Sequence, residues 1–412
     1  MSTLSIMSKS LNDLPEHLLK PHLRRIEPMP IQREDTQAIA LRDPFQLSSD
    51  TMAVHPNALG LLQHFQGQVT LEQLGEQFKA DPMELVPLLE QMDSLGLLWG
   101  PTAEQLEQEK LQQLKDSGFF PVGASASMGN TPEECAQRMD HWLEQVEDAE
   151  IEGRINGVLV PHLDYERGWP NYATGYKCLQ GVEPPDRVVI LGTNHMGLGD
   201  GVIMADLEFQ TPMGTVHLDR QIMTATIDRL VPGLSKDQLD HLPEHSIQLQ
   251  LPWIQHLFPG VPVVAFLVAD PLVGLIEDDG SRVGTEEFVE GFSEVLQSAG
   301  GRTLVICSSD LSHVGPQFGE PTPVDDERRV EVEQHDREMM AKFIEADPVE
   351  FVSAMSWCGN STRWCSIGSM MATLAFCAPS EVELLDYRQS WDQDKGHWMV
   401  TSASMALVDS QE

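Results

Sequence analysis

The sequence predicts an α/β protein with a mostly parallel central sheet flanked by helices, preceded by a small α+β module. From Ile155 onward, short apolar runs alternate with helical patterns, the signature of strand–helix–strand units. Val188–Leu191 (VVIL) is too short for a helix and rich in β-branched residues, so it reads as a strand buried on both faces. Three such runs each deliver a histidine. Gly157–Pro161 runs into His162, Val188–Gly192 into His195, and Leu304–Cys307 into Ser308, Ser309, Asp310 and His313. Strand ends are where a doubly covered sheet places polar chemistry, so the three runs point to one shared site.

Along the chain, residues 1–37 are polar and proline-punctuated and read as an extended lead-in. A small module follows over 38–102. Its helices are expected over 57–65 and 70–78, the latter opened by the capping box Thr70–Gln73, and over 82–95 after the Asp81-Pro82 start. Leu97–Trp99 reads as a closing strand, and 103–117 as a charged connector helix. The second domain is expected over 118–412. Its strands fall near 156–160, 187–192, 202–206, 262–268, 303–308, 383–386 and 398–407. Its helices fall near 131–146, 169–180, 219–230, 245–257, 285–298, 325–344, 347–355 and 366–377. Gly197–Gly201 reads as a turn.

Composition bounds the function. With 26 basic against 64 acidic residues the net charge is −38, a field that repels nucleic-acid backbones and anionic membranes. No run approaches the roughly 18 apolar residues of a membrane span. The first twenty residues lack the apolar core of a signal peptide, so a soluble cytoplasmic protein is expected, its six cysteines reduced.

Several residue pairs could carry chemistry. His162 and His195 are imidazoles at strand ends, suited to sharing one transition-metal ion. Glu244-His245 after Pro243 places an acid and a base at an expected helix N-terminus. Asp310 and His313 lie three apart, so a helical turn there would face both one way, as an oriented ligand or a general base. Cys365 precedes an apolar helix, where a thiolate is a good ligand or nucleophile; Cys358, seven residues earlier, competes for that role. The Cys-x6-Cys spacing fits neither a zinc ribbon nor a CxxC redox motif.

Six ordered segments then make the second domain resemble the Memo family, also called AmmeMemoRadiSam system protein B. They are Val160–Tyr165 (VPHLDY), Leu191–His195 (LGTNH), Thr211–Gly214 (TPMG), Glu244–Gln248 (EHSIQ), Ser308–His313 (SSDLSH) and Tyr387–Ser390 (YRQS) with Asp392. The resemblance implies a fold similar to the class III extradiol dioxygenases and a vestibule in which His162, His195 and Cys365 hold iron or copper. At Cys365–Met370 (CSIGSM) serine stands for the family's Gly and Pro, and methionine for its Ile. His245, His313, Asp310 and Glu244 would then serve as acid/base or substrate contacts in a redox reaction. The alternative is a binding protein recognising a peptide or modified residue beside AMMECR-like and radical SAM proteins, the partners that the family's association implies. The first module resembles winged-helix or peptide-binding PqqD-like domains, so a peptide is its expected partner; its few basic residues argue against DNA.

Overall fold

The chain divides into two units, Met1–Ser117 and Gly118–Glu412. The computed structural model describes residues 10–33, 36–195, 197, 200–275 and 280–410. Part of the expected turn over 197–201 therefore lies outside the described residues, as do the first nine residues of the lead-in.

In the first unit, β1 (Glu27–Arg33), β2 (Thr36–Arg42) and β3 (Met52–Val54) form an antiparallel meander in the order β1-β2-β3. Much of the lead-in is therefore structured. Leu14 and Leu18 are buried in the core with Leu62, Leu74, Leu89 and Met92, and β1 is a strand despite Pro28 and Pro30. Both prolines sit at alternate positions of an edge strand, where a missing N–H costs no ladder bond. The meander lies between the short helix Glu16–Leu19 and the helices that begin at Ala58, and Leu98 makes only an isolated bridge to Leu23 in place of a closing strand. Thr70 caps Leu71–Phe78 reciprocally with Gln73, as its spacing predicts. The charged helix Pro101–Ser117 is no free connector. Its Ala103 and Leu114 are buried, and its Glu107 pairs with the buried Arg24.

The second unit carries β4 (Phe119–Phe120), β5 (Arg154–Val160), β6 (Arg187–Thr193), β7 (Ile203–Met204) and β8 (Glu208–Thr211). These are followed by β9 (Gly214–Val216), β10 (Val263–Val268), β11 (Thr303–Ser308), β12 (Asp310–Val314), β13 (Glu381–Trp391) and β14 (Met399–Asp409). The main sheet runs β12-β14-β5-β11-β6-β10-β7, with β13 on β14. Its centre, β5-β11-β6-β10, is parallel, and antiparallel strands close both flanks. Every residue of β6 and of β10 is buried, as expected for strands covered on both faces. A separate small sheet, β4-β8-β9, has no counterpart in the expected strands.

Two local expectations are corrected. Asp310 and His313 lie on strand β12, not on a helical turn, and a register shift between them breaks the alternation along the strand. Glu244 and His245 precede a run of turns, and the helix begins only at Leu251, so the helix dipole does not act on them. Among the described residues no helix is long and apolar enough to cross a membrane, and all six cysteines are free.

Candidate metal centre

Neighbouring parallel strands in the order β5-β11-β6 deliver the site. His162 follows β5, Asp310 follows β11, and His195 follows β6. Cys365 lies directly before Ser366, the N-cap of the helix Ile367–Cys377. That helix packs closely: a Cβ on Gly368 would come within 2.0 Å of the Ala269 carbonyl oxygen.

His162 is almost fully buried. Its backbone N–H donates to Asp310 Oδ1 at 3.0 Å. Its Nδ1 lies 3.2 Å from the Ser308 carbonyl oxygen, which can only accept, so Nδ1 carries the proton and Nε2 keeps its lone pair. That Nε2 is 3.2 Å from Cys365 Sγ. His195 is oriented in the same manner. Its Nδ1 is 3.2 Å from both oxygens of Glu244, which also accepts its backbone N–H at 2.9 Å. Glu244 is itself fixed by the Ser246 N–H at 2.8 Å, and the Ser246 hydroxyl accepts from the Thr193 N–H. Gly192 leaves the room: a Cβ there would meet Ser246 Oγ at 2.6 Å.

The ligating atoms of His162, His195 and Cys365 all lie within 4.8 Å of one another and could hold a metal ion. Two donors at about 2.1 and 2.3 Å from one ion, at a tetrahedral angle, lie roughly 3.6 Å apart. The His162–Cys365 spacing is close to that and needs little movement. Cys358, the competing thiol, lies elsewhere, against Met339 Sδ at 3.9 Å. A second cluster, His195, Glu244 and His245, is contiguous with the first. The His245 ring stacks on His195 at 4.9 Å and meets His162 edge-on at 5.3 Å.

The electrostatics follow from burial and these contacts. Burial, then the neighbouring His195 and His245, holds His162 well below the ordinary histidine range, so it stays a neutral ligand. Burial opposes a charge on His195, yet Glu244 and the Cys365 thiol outweigh it and hold its pKa well above the usual value. Burial likewise opposes ionisation of Glu244, but His195 and the Ser246 N–H keep its carboxyl well below the carboxylate range. Burial lowers His245, and with His195 it lowers His313 to about 4. His313 Nδ1 faces the Leu311 and Arg363 carbonyl oxygens at 3.0 and 3.1 Å, so its Nε2 is the free nitrogen.

Asp310 is pushed up to about 7 by burial, against the His162 N–H that favours its charged form. Between the unfolded value of 3.8 and about 7, the folded chain holds a proton that the unfolded chain has released. Stability therefore falls as pH rises through that window. Asp310→Asn keeps an acceptor for His162 and removes the ionisation. In metal-free protein, its stability relative to wild type is expected to be greater at pH 8 than at pH 4. Denaturant titration at both values checks this, and parallel profiles would refute it.

Beside His162 opens a vestibule of about 880 Å³, lined by His162, His245, Asp310 and His313 and by apolar Leu163, Leu249, Phe318, Trp398 and Val400. All four sequence-predicted residues other than His195, Cys365 and Glu244 thus line one cavity, and Glu244 sits behind His195. The sequence reading missed Arg167, also in this lining, although Asp164 and Arg167 have the i,i+3 spacing of a first-turn pair.

Fold and site together define a parallel-centred α/β protein with a His/His/Cys centre at the carboxyl ends of its strands. The family model of the Memo-like proteins matches residues 121–406, and the chain belongs to that family. A MEMO1 family protein of Methanopyrus kandleri is 30% identical over 58% of this chain and 77% of its own length. Another, of Nitrosopumilus maritimus, is 24% identical over 67% and 91%. A third, of Aquifex aeolicus, is 26% identical over 84% of this chain and 87% of its own length. That last match is longer than the second unit and so extends into the first.

Proposed function

We propose that the protein is a metal-dependent redox protein in which His162, His195 and Cys365 hold one iron or copper ion. The observation that carries this is the convergence of two imidazoles on one thiol, each ring fixed by a partner on its Nδ1. Two imidazoles with a thiolate suit iron or copper and disfavour magnesium or calcium. Bound there, the ion would supply one-electron chemistry next to the vestibule that His162 lines. Glu244 holds the His195 proton at Nδ1, and the Ser308 carbonyl holds that of His162. Asp310, protonated up to about pH 7, and the free Nε2 of His313 can give or take a proton from a molecule in the cavity. His245, stacked on His195, contributes a wall and a second base.

Metal analysis of the anaerobically purified full-length chain tests this reading. Near one iron or copper per chain supports it, and no metal after reconstitution with either ion overturns it. A second reading, binding beside AMMECR-like and radical SAM proteins, is favoured by one observation. The first unit has its own cavity of about 640 Å³, bordered by Arg42, Asp43, Glu109 and Lys110. Partner retention by a full-length chain lacking all three ligands would select that reading.

A further inference from the structure

We propose that the vestibule takes a small organic carboxylate, its acid group on Arg167 and its apolar body against the Leu249–Phe318–Trp398 wall. This deepens the redox reading by naming a substrate class for the same cavity, and it rests on that reading only for what happens to the molecule once bound.

Arg167 lies in the first turn of the helix Tyr165–Lys177, whose N-cap is Asp164. Asp164 accepts both the Arg167 backbone N–H, at 3.2 Å, and its Nε–H, at 2.5 Å. The guanidinium lies over the Trp398 ring, 4.8 Å from its centroid. One side of the fork is thus held by a carboxylate and one face by an indole. Among the described residues neither Nη1 nor Nη2 has a protein partner. Those two nitrogens form the end of the fork that grips a carboxylate bidentately.

The surroundings argue for a monoanion with an apolar body. Arg167 is the one Arg or Lys side chain lining the cavity among the described residues, and it is 38% exposed. The other titratable groups facing the same space are Asp164, Asp310, His162, His245 and His313. Asp164 already offsets the guanidinium charge, so a bound monoanion leaves one net negative charge, whereas a dianion would leave two beside Asp164 and inside the acidic field of the whole chain. With a net charge of −38, the protein does not steer anions inward from a distance. Selection must come from contact, so the apolar wall has to supply much of the affinity. A cavity of about 880 Å³ is the size that encloses most of a drug-sized molecule.

Isothermal titration of the full-length chain, metal-free and metal-loaded, with phenylacetate, hydrocinnamate, indole-3-acetate and octanoate tests the proposal. At least one acid is expected to saturate the wild type in both states, with methyl hydrocinnamate binding far more weakly. Arg167→Gln is expected to weaken binding about 10- to 100-fold, the range for a lost charge-assisted pair. Arg167→Lys should lose less. No saturable binding by any of the four, or equal binding by Arg167→Gln, overturns the proposal. Tighter binding of phenyl phosphate than of the acids overturns the choice of a carboxylate. Binding abolished by metal removal but untouched by Arg167→Gln puts the acid on the ion: this proposal fails and the metal reading stands. Arg167-dependent binding in a chain that takes up no metal gives the reverse.

Discussion

Cys365→Ser, His162→Ala and His195→Ala are each expected to empty the metal centre, weakening affinity more than about 100-fold. Three donors converge there, and each variant leaves two, fewer than the three protein ligands of an open catalytic site. Glu244→Gln is the graded partner of this set. It leaves every ligand in place and removes the charge that orients His195, so the loss should be about 10- to 100-fold, as for other supporting carboxylates. With the Nδ1 proton kept on Glu244, binding must also displace the second proton, on Nε2, of a charged His195. Wild-type affinity should therefore rise with pH until that proton is gone, and Glu244→Gln, with a less basic His195, should show a shallower rise. Competition against a chromophoric chelator at several pH values measures both effects. Full metal content in Cys365→Ser would remove the thiol from the ligand set. An unchanged pH slope in Glu244→Gln would remove the carboxylate from its proposed role.

What the sequence reveals of this site depends on whether the signal is local. The buried strands were legible because β-branched runs such as Val188–Leu191 have few alternatives, and each ends in polar residues that mark its carboxyl end. Their histidines therefore fall at one end of the sheet on sequence grounds alone. Spacing misled wherever the next element was short. Asp310 and His313 satisfy a helical i,i+3 interval, but tertiary pairing with β14 makes the segment a strand. Glu244-His245 satisfies a helix start, but the chain spends residues 246–250 in turns, which bring the Ser246 hydroxyl and Gln250 amide to the strand ends. The proline-rich lead-in misled for another reason: an edge strand tolerates residues that a central one rejects. The small sheet β4-β8-β9 was out of reach, since two of its strands have only two or three residues.

The Tyr387 motif shows the same limit, and it leads to the largest stability effect expected in this chain. Tyr387 does not touch the vestibule. Its hydroxyl donates to Asp336 Oδ2 at 2.8 Å, beside the Thr401 hydroxyl at 2.6 Å, while Asp336 Oδ1 accepts from Ser312 Oγ at 2.5 Å and Trp364 Nε1 at 2.9 Å. One buried carboxylate thus satisfies four donors from four separate segments. Burial raises its pKa and the four donors oppose that rise, so the folded state depends on every one of them. Asp336→Ala strands the four donors in the interior. At about 1–3 kcal/mol for each group left unpaired, partly offset by hydroxyl rotation, the expected loss is about 3–6 kcal/mol. Asp336→Asn keeps one acceptor oxygen, and its amide can donate to hydroxyls that turn round, so it should lose less than half as much. The cluster also reaches the metal centre, because Trp364 directly precedes Cys365 and Ser312 directly precedes His313. Both variants should lower metal affinity in proportion to their lost stability, although neither touches a ligand. Denaturant unfolding followed by chelator competition checks the pair. A destabilised Asp336→Ala chain that still binds metal as wild type does would show that the cluster supports the fold alone. Equal damage from Asn and Ala would show that the charge itself, beyond the number of acceptors, holds the four segments together.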